Sequence, residues 1–209
     1  MKKVVFIMVV GLLTLGLLVG CVGPTANNNR ELDDEGAVWR KLAQTQEPLL
    51  SALRAIELIK AKDWEGLAAM VHPEAGVRFT AYPYVELEKD QVFTAEQVAG
   101  LANDTTEYEW GKYDGTGDPI RLTFADYYER FIYDKDFAQA PVIGRDRLLS
   151  YGNAIENVKE AYPNGKFIEF YFPGSEEHDG MDWRTLKLVF EKQGETWYLV
   201  GVIHGEWTI

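Results

Sequence analysis

The chain is poor in cysteine and in histidine. Cys21 is the single cysteine among 209 residues, and the three histidines stand at positions 72, 178 and 204. One thiol excludes an intramolecular disulfide, a thiolate metal centre and a paired-cysteine redox motif. The sequence also lacks a G-x-S-x-G elbow, an H-E-x-x-H pair, a P-loop and a Rossmann glycine pattern. The sequence signatures of the common hydrolases and nucleotide-binding proteins are therefore absent, and we expect no cofactor.

Basic charge is scarce as well. The chain carries 21 Lys and Arg against 33 Asp and Glu, a formal charge of −12. Nucleic-acid-binding proteins present a basic patch or stripe, and we find none here. Anionic lipid headgroups repel an acidic chain for the same electrostatic reason. We therefore expect no nucleic-acid partner and no membrane attraction through surface charge.

The N-terminus has the organisation of a secretory signal. Met1-Lys2-Lys3 is cationic, an apolar run extends from Val4 to about Leu18, and small residues lead to Cys21. An uncleaved membrane anchor needs roughly 18 or more consecutive apolar residues, and glycines interrupt this run. The stretch Leu18-Val19-Gly20-Cys21 resembles the lipobox of bacterial lipoproteins. That resemblance implies that the Cys21 sulfur is joined to diacylglycerol and that Cys21 becomes the first mature residue.

Three regions follow from this interpretation. Residues 1–20 are a signal peptide, residues 21–36 a lipidated cysteine with a polar tether, and residues 37–209 one globular domain. Removal of residues 1–20 removes two lysines and no acid, which leaves 19 basic and 33 acidic side chains and a charge of −14. We expect a protein held by lipid on the extracytoplasmic face of the cell membrane, because two acyl chains give stable anchoring.

The hydrophobic pattern predicts helices first and a strand meander last. Leu49, Leu53, Ile56 and Ile59 keep helical spacing. Asp63, Thr94 and Thr123 are positioned as N-caps of further helices, Thr94 with Gln97 in a capping box. The helix after Asp63 should end at His72, before Pro73. Predicted extended segments are 77–80, 82–87, 106–113, 120–122, 166–172, 184–191 and 196–204. This order favours an α+β fold with helices packed on one side of a curved antiparallel sheet.

Several of these segments resemble a known fold. Asp63-Trp64, His72-Pro73-Glu74 and Val77-Arg78-Phe79, together with the closing segments 186–190 and 197–204, resemble the SnoaL-like cone shared with nuclear transport factor 2. Over nearly its full length the chain is similar to a group of bacterial lipoproteins, and the similarity includes Gly180-Met181-Asp182-Trp183 and Glu206-Trp207-Thr208-Ile209. The resemblance implies a cone with a cavity, which the additional segment 88–165 could cover or divide. It implies no catalytic residue, because members of that superfamily place theirs differently.

Two residues are candidates for chemistry. By the alternation of a strand, His204 is expected on the same face as Tyr198, Val200 and Val202. It is an acid–base candidate if that face lines a pocket. The favoured alternative is a partly exposed histidine at a strand end, bonded to backbone. Arg78 is a candidate carboxylate or phosphate clamp, and the favoured alternative is pairing with one of the many acids.

Other polar residues have structural explanations. His72 is expected to meet the last free carbonyls of a helix. Asp134 and Asp136 are expected in a solvated turn. The loop 114–118 lacks the glycine and distal glutamate of an EF-hand and is predicted to be a hairpin turn. The loop 175–182 is acidic, but solvated acids explain it, so we predict no metal site.

Three functions remain open at this point. We favour a non-catalytic domain that binds a small molecule or another envelope protein. The second is a SnoaL-like enzyme with a buried Asp or His as proton shuttle, tested at His204 and Arg78. The third is a cell-wall glycan-binding module, which would need exposed rings among Trp110, Tyr113, Trp183 and Trp207.

Overall fold

The computed structural model describes residues 48–152 and 154–208. The signal segment, Cys21 and the tether 21–36 lie outside the described residues. The helices are α1 (48–61), α2 (Trp64–Ala68), α3 (Ala95–Gly100), α4 (Phe124–Tyr127, continued by a π-helical turn Tyr128–Ile132) and α5 (Val158–Ala161). Within these described ranges, no helix is long and apolar enough to cross a bilayer.

Within residues 48–152 and 154–208, eight strands form two sheets. They are β1 (Val77–Thr80), β2 (Gln91–Phe93), β3 (Glu107–Lys112), β4 (Pro119–Thr123), β5 (Val142–Arg145), β6 (Lys166–Phe172), β7 (Arg184–Gln193) and β8 (Thr196–Glu206). The main sheet has the order β2-β1-β8-β7-β6-β5, and β3-β4 is a separate hairpin. The α+β class is confirmed, and the curved sheet is antiparallel except for the parallel pair β1-β8.

The expected helix starts are present in the structure. The Asp63 carboxylate accepts from the Gly66 N–H at 2.9 Å, and Thr94 with Gln97 forms the complete capping box. Thr123 caps α4 by accepting from the Asp126 N–H. Each cap satisfies N–H groups that have no partner inside the helix.

Local details differ from the pattern in five places. Helix α2 ends at Ala68 rather than at His72, because Val71 leaves the helix to form a bridge with Leu199. In α1 the buried face runs through Ala52, Ala55, Ile56 and Ile59, while Leu53 is 39% exposed. Segment 82–87 makes bends instead of a strand, and β2 and β5 are strands that the pattern did not predict.

Both faces of the main sheet are covered. On the inner face lies the larger core, whose biggest fully buried side chains are aromatic: Phe79, Trp110, Phe124, Tyr127, Phe131, Phe137, Phe170 and Phe190. On the outer face a smaller cluster joins Val85, Tyr162, Phe167, Val189 and Ile203. The segment 88–165 contributes to both, since it supplies α4 and the β3-β4 hairpin to one core and α5 to the other.

A β-bulge in β8 decides which side chains share a face. Phe190 pairs with Leu199 and Val189 with Gly201, so Val200 is the additional residue. Beyond a bulge, the alternation of side chains shifts by one position. His204 therefore shares the inner face with Leu199 and Val202 rather than with Val200 as the sequence pattern suggested.

Candidate ligand pocket

A pocket of about 700 Å³ opens where the end of β1 meets the β3-β4 hairpin. Gly111 has φ +112° at the irregularity in the β3-β4 pairing, a conformation that glycine adopts without strain. The turn 114–117 closes the hairpin, as expected, with Tyr113 and Asp118 bonded across it. The pocket is lined by Thr80, Ala81, Tyr82, Tyr84, Glu86, Asp90, Trp110, Gly111, Lys112, Tyr113, Asp114, Gly115, Thr116, Gly117, Ala154, Ile155 and Thr208.

Aromatic rings form much of this wall, and most of them are fixed by packing. The ring of Trp110 stacks on that of Tyr127 with centroids 3.8 Å apart. Tyr82 packs edge-on against Phe131 at 5.7 Å, and the Tyr113 ring lies 6.3 Å from the same phenylalanine. Tyr84 is 50% exposed at the pocket rim. The wall is therefore largely preformed, as in most small-molecule sites.

Asp90 is the most perturbed titratable group in the pocket. Its Oδ2 accepts from the Thr80 hydroxyl at 2.8 Å and from the Glu86 N–H at 3.0 Å. Burial raises the pKa of Asp90 to about 6, although both hydrogen bonds and the nearby Arg78 charge act in the opposite direction. The sequence reasoning missed Asp90. The run Glu86-Leu87-Glu88-Lys89-Asp90 has the appearance of a solvated turn, and no local signal distinguishes its last acid.

Arg78 lies behind Asp90 rather than in the pocket lining. Its Nη1 donates to the Asp90 backbone carbonyl at 3.2 Å and to that of Glu86 at 3.5 Å. Both acceptors are backbone carbonyls. We had expected Arg78 to pair with an acidic side chain, and these two bonds do not show that pairing. Arg78 instead holds the 86–90 turn against β1, and its charge lowers the pKa of Asp90.

His204 is fully buried and does not line this pocket. Its Nδ1 lies 3.2 Å from the Ala81 carbonyl oxygen, which only accepts, and its Nε2 lies 3.4 Å from Asp134 Oδ1. The expectation of partial exposure was wrong, because the bulge turns the ring toward the core against Phe131. The expected bond to backbone is present.

Asp134 is not the solvated residue that its position in an exit turn suggested. Its Oδ2 accepts from Arg184 Nε at 2.8 Å, and its side chain is largely buried beside His204. Burial alone would raise the pKa of Asp134, but hydrogen bonds and charge from His204 and Arg184 outweigh burial and lower it. Asp136, two residues on, is exposed and bonds Lys60 at 2.8 Å.

One candidate cation site consists of Asp134, His204 and Glu206. Ligand atoms of all three residues lie within 4.8 Å of one another. Both Glu206 oxygens are already held, by Arg130 at 2.5 and 3.2 Å and by Arg184 at 3.2 Å. Two guanidinium groups balance the two carboxylates, so a divalent cation would add uncompensated buried charge. These donors do not suit a metal, and the cluster is an ion-pair network at the end of β8.

A second buried network lies on the outer face of the sheet, and the sequence analysis missed it. Lys187 is fully buried, with Nζ 2.5 Å from Glu156 Oε1 and 3.7 Å from Glu169 Oε1. Glu169 also accepts from the hydroxyls of Ser150 and Thr185 at 2.7 and 2.8 Å. Burial raises the pKa of Glu156 despite the neighbouring Lys187. The sequence signal for this network was the alternation of the polar residues Thr185 and Lys187 with apolar residues in β7.

The remaining candidates have structural roles. His72 Nδ1 accepts from the N–H groups of Glu74 and Ala75 at 3.2 and 3.0 Å, so the ring caps the following turn instead of meeting helix carbonyls. In the loop 175–182, Asp182 accepts from both the N–H and the hydroxyl of Ser175. Trp110 and Trp183 are buried, and Tyr113 and Trp207 are half-buried, so the four rings do not form an exposed platform.

Comparison with known proteins does not identify a function for this pocket. No family model and no curated protein matches the chain. Among solved structures it is similar to a variant of the designed protein Rd1NTF2_05, at 15% identity over 82% of this chain and 99% of that one, with a TM-score of 0.30. That likeness is too distant to bear on function.

Proposed function

We propose that the chain is a lipid-anchored extracytoplasmic protein whose domain binds a small molecule without transforming it. The observation that carries the binding role is the preformed pocket, which is lined by the rings of Tyr82, Tyr84 and Tyr113 and by the perturbed carboxylate of Asp90. Pockets of this size with few convergent polar groups are the usual sites of small ligands. The two residues that the sequence offered for catalysis, His204 and Arg78, do not line this pocket.

Ligand screening with matched tyrosine variants tests the binding role. A ligand that raises the melting temperature should lose that effect in Tyr84→Ala, because the Tyr84 ring forms the pocket rim. Tyr151→Ala is the control, since Tyr151 is 81% exposed and does not line the pocket. Equal loss in both variants, or no stabilising ligand in a broad panel that includes envelope fractions, would count against the proposal.

The enzymatic alternative now points to Asp90. A carboxyl with a pKa of about 6 inside a pocket is suited to accept a proton near neutral pH. The readout is exchange of carbon-bound hydrogen of a bound ligand for deuterium in D₂O, followed by NMR. Exchange that Asp90→Asn abolishes while binding persists would favour an enzyme over a binding protein.

The anchoring part of the proposal has its own test. The apolar run from Val4 to about Leu18, followed by small residues and Cys21, supports processing and lipidation of that cysteine. Wild-type protein should enter the detergent phase in a detergent-partition assay, and Cys21→Ser should leave it. Retention of processed Cys21→Ser in the detergent phase would overturn the anchoring proposal without affecting the binding proposal.

A further inference from the structure

The charges around the pocket are predominantly negative. Four of its lining side chains carry formal charge, the carboxylates of Glu86, Asp90 and Asp114 and the amino group of Lys112. Glu86 also forms an ion pair with the exposed Lys89. Asp90 and Asp114 are therefore the acids available to a ligand, and the acidic chain as a whole adds to the same negative potential.

Asp90 lines the pocket and has hydrogen-bonding capacity on the carboxylate oxygen that its contacts with Thr80 and Glu86 leave unused. Both of its hydrogen bonds to Thr80 and Glu86 are made by Oδ2, so neither of them occupies Oδ1. Arg78 does not neutralise this oxygen by direct contact, because its guanidinium bonds backbone carbonyls. A carboxylate held in this way gains more from an incoming positive group than one in bulk water does.

An unpartnered hydroxyl lies within electrostatic reach of the same carboxylate. The Tyr127 hydroxyl is buried and has no hydrogen-bond partner among the described residues. Burial, with a smaller contribution from Asp90, raises the pKa of Tyr127 well above its usual value. The ring of Tyr127 is covered by Trp110, which lines the pocket. A buried donor without a partner is uncommon in proteins, and this one belongs to a residue packed next to the pocket lining rather than in it.

The rings supply the second component of cation recognition. The aromatic face of Tyr or Trp attracts an ammonium group within about 6 Å, by roughly 0.5–2 kcal/mol per contact. Tyr82, Tyr84, Tyr113 and Trp110 line the same pocket as Asp90 and Asp114. An anionic ligand would meet the carboxylates without compensation, and a neutral ligand would leave Asp90 desolvated and unpaired.

We propose that the pocket binds a small organic cation, with a substituted ammonium group between the Asp90 carboxylate and the tyrosine rings. This inference rests on the proposed binding function and adds the chemical class of the ligand. Its charge-paired contact is with Asp90, and its ring contacts are with Tyr82, Tyr84 and Tyr113.

Calorimetric titration of the protein with choline and with neohexanol tests the charge requirement. Neohexanol replaces the quaternary nitrogen of choline by carbon, so the two probes share shape and differ in charge. At low ionic strength and pH 7.5 we expect choline to bind at least about tenfold more tightly than neohexanol. Asp90→Asn should remove most of that difference, because it keeps an acceptor for Thr80 and Glu86 and removes the charge.

Asp179→Asn is the matched control. It removes the same charge from an exposed residue in the loop between β6 and β7, outside the pocket lining, and choline affinity should stay within about twofold of wild type. Choline that binds no more tightly than neohexanol, or a charge preference that survives Asp90→Asn, overturns the cation proposal. If neutral ligands then bind in a manner that depends on Tyr84, the pocket function stands and only the ligand class fails.

Discussion

At the residue scale, two aspartates show how burial and compensation compete. Asp90 loses solvent and gains two hydrogen bonds, and the balance raises its pKa to about 6. Asp134 is similarly buried, but its contacts with His204 and Arg184 reverse the balance and lower its pKa. The difference lies in charged partners, because a neutral hydrogen bond compensates a buried carboxylate less than a cation does.

Asp90→Asn should stabilise the protein at neutral pH. The folded pKa of about 6 lies above the unfolded value of 3.8, so the folded state binds more protons between these values and stability falls as pH rises through about 6. We expect a gain of about 1–2 kcal/mol in the free energy of unfolding at pH 7.5, allowing for partial exposure. The groups that act on this carboxylate are Arg78, Glu86 and Thr80. Urea unfolding at pH 4 and pH 7.5 measures the effect, and an equal gain at both pH values would contradict it.

The variants Asp134→Ala and Asp136→Ala should differ sharply in the free energy of unfolding, although only one residue separates the two positions in the sequence. Loss of the Asp134 carboxylate leaves Arg184 and His204 without their shared partner, and we expect a loss of about 3–5 kcal/mol in unfolding free energy. Asp136 pairs with Lys60 at the surface, and its removal should have little measurable effect. Chemical denaturation of both variants measures the two losses, and equal losses would contradict the expected difference between the buried and the surface carboxylate.

At the element scale, the β-bulge in β8 organises both faces of the sheet. It places Val200 and Gly201 toward the outer cluster and returns His204 and Glu206 to the inner face, where the arginines and Asp134 meet them. Gly201 lies under the Tyr162 hydroxyl, and a Cβ there would be 2.9 Å from Tyr162 Oη and 3.2 Å from Val189 Cβ.

Gly201→Ala should therefore destabilise the protein, by about 1–3 kcal/mol, because overpacking shifts Tyr162 or the strand. Gly100→Ala is the matched control. It lies at the end of α3 with φ −85° and has no atom within 4 Å of the added Cβ, so we expect no change or a gain of up to about 1 kcal/mol. Thermal unfolding of both variants checks the pair, and a neutral Gly201→Ala would show that α5 yields without cost.

At the scale of the whole molecule, the two faces of the main sheet carry different features. The inner side is packed with aromatic side chains, and the pocket opens at its margin next to the β3-β4 hairpin. The outer side carries the buried Lys187 network beneath the segment containing Ser150 and Glu156.

Limited proteolysis should separate the tether from the domain. Arg30 falls in the polar segment 21–36, which we predict to be accessible to trypsin before any site in residues 48–208. We expect one resistant fragment with the melting temperature of the parent protein, identified by mass spectrometry. Early cleavage inside the domain, or a lowered melting temperature of the fragment, would show that the N-terminal segment contributes to the fold.

The sequence by itself determined the features that depend on neighbouring residues. Asp63, Thr94 and Thr123 cap helices because each side chain reaches an N–H two or three residues away, and the turn at Gly194 joins β7 to β8 for a similarly local reason. The lipidation of Cys21 stays a prediction of the same local kind.

Only the tertiary structure decided the features that depend on distant residues. The face of His204 depends on a bulge in the pairing with β7, and the burial of Lys187 depends on a covering segment more than 30 residues earlier. Asp90 acquires its raised pKa from burial in a pocket whose other wall is the β3-β4 hairpin, and the hydrogen bond from Thr80 offsets only part of that rise. Solvent exclusion is a property of the assembled fold, so the spacing of residues along the chain does not predict which carboxylate is desolvated.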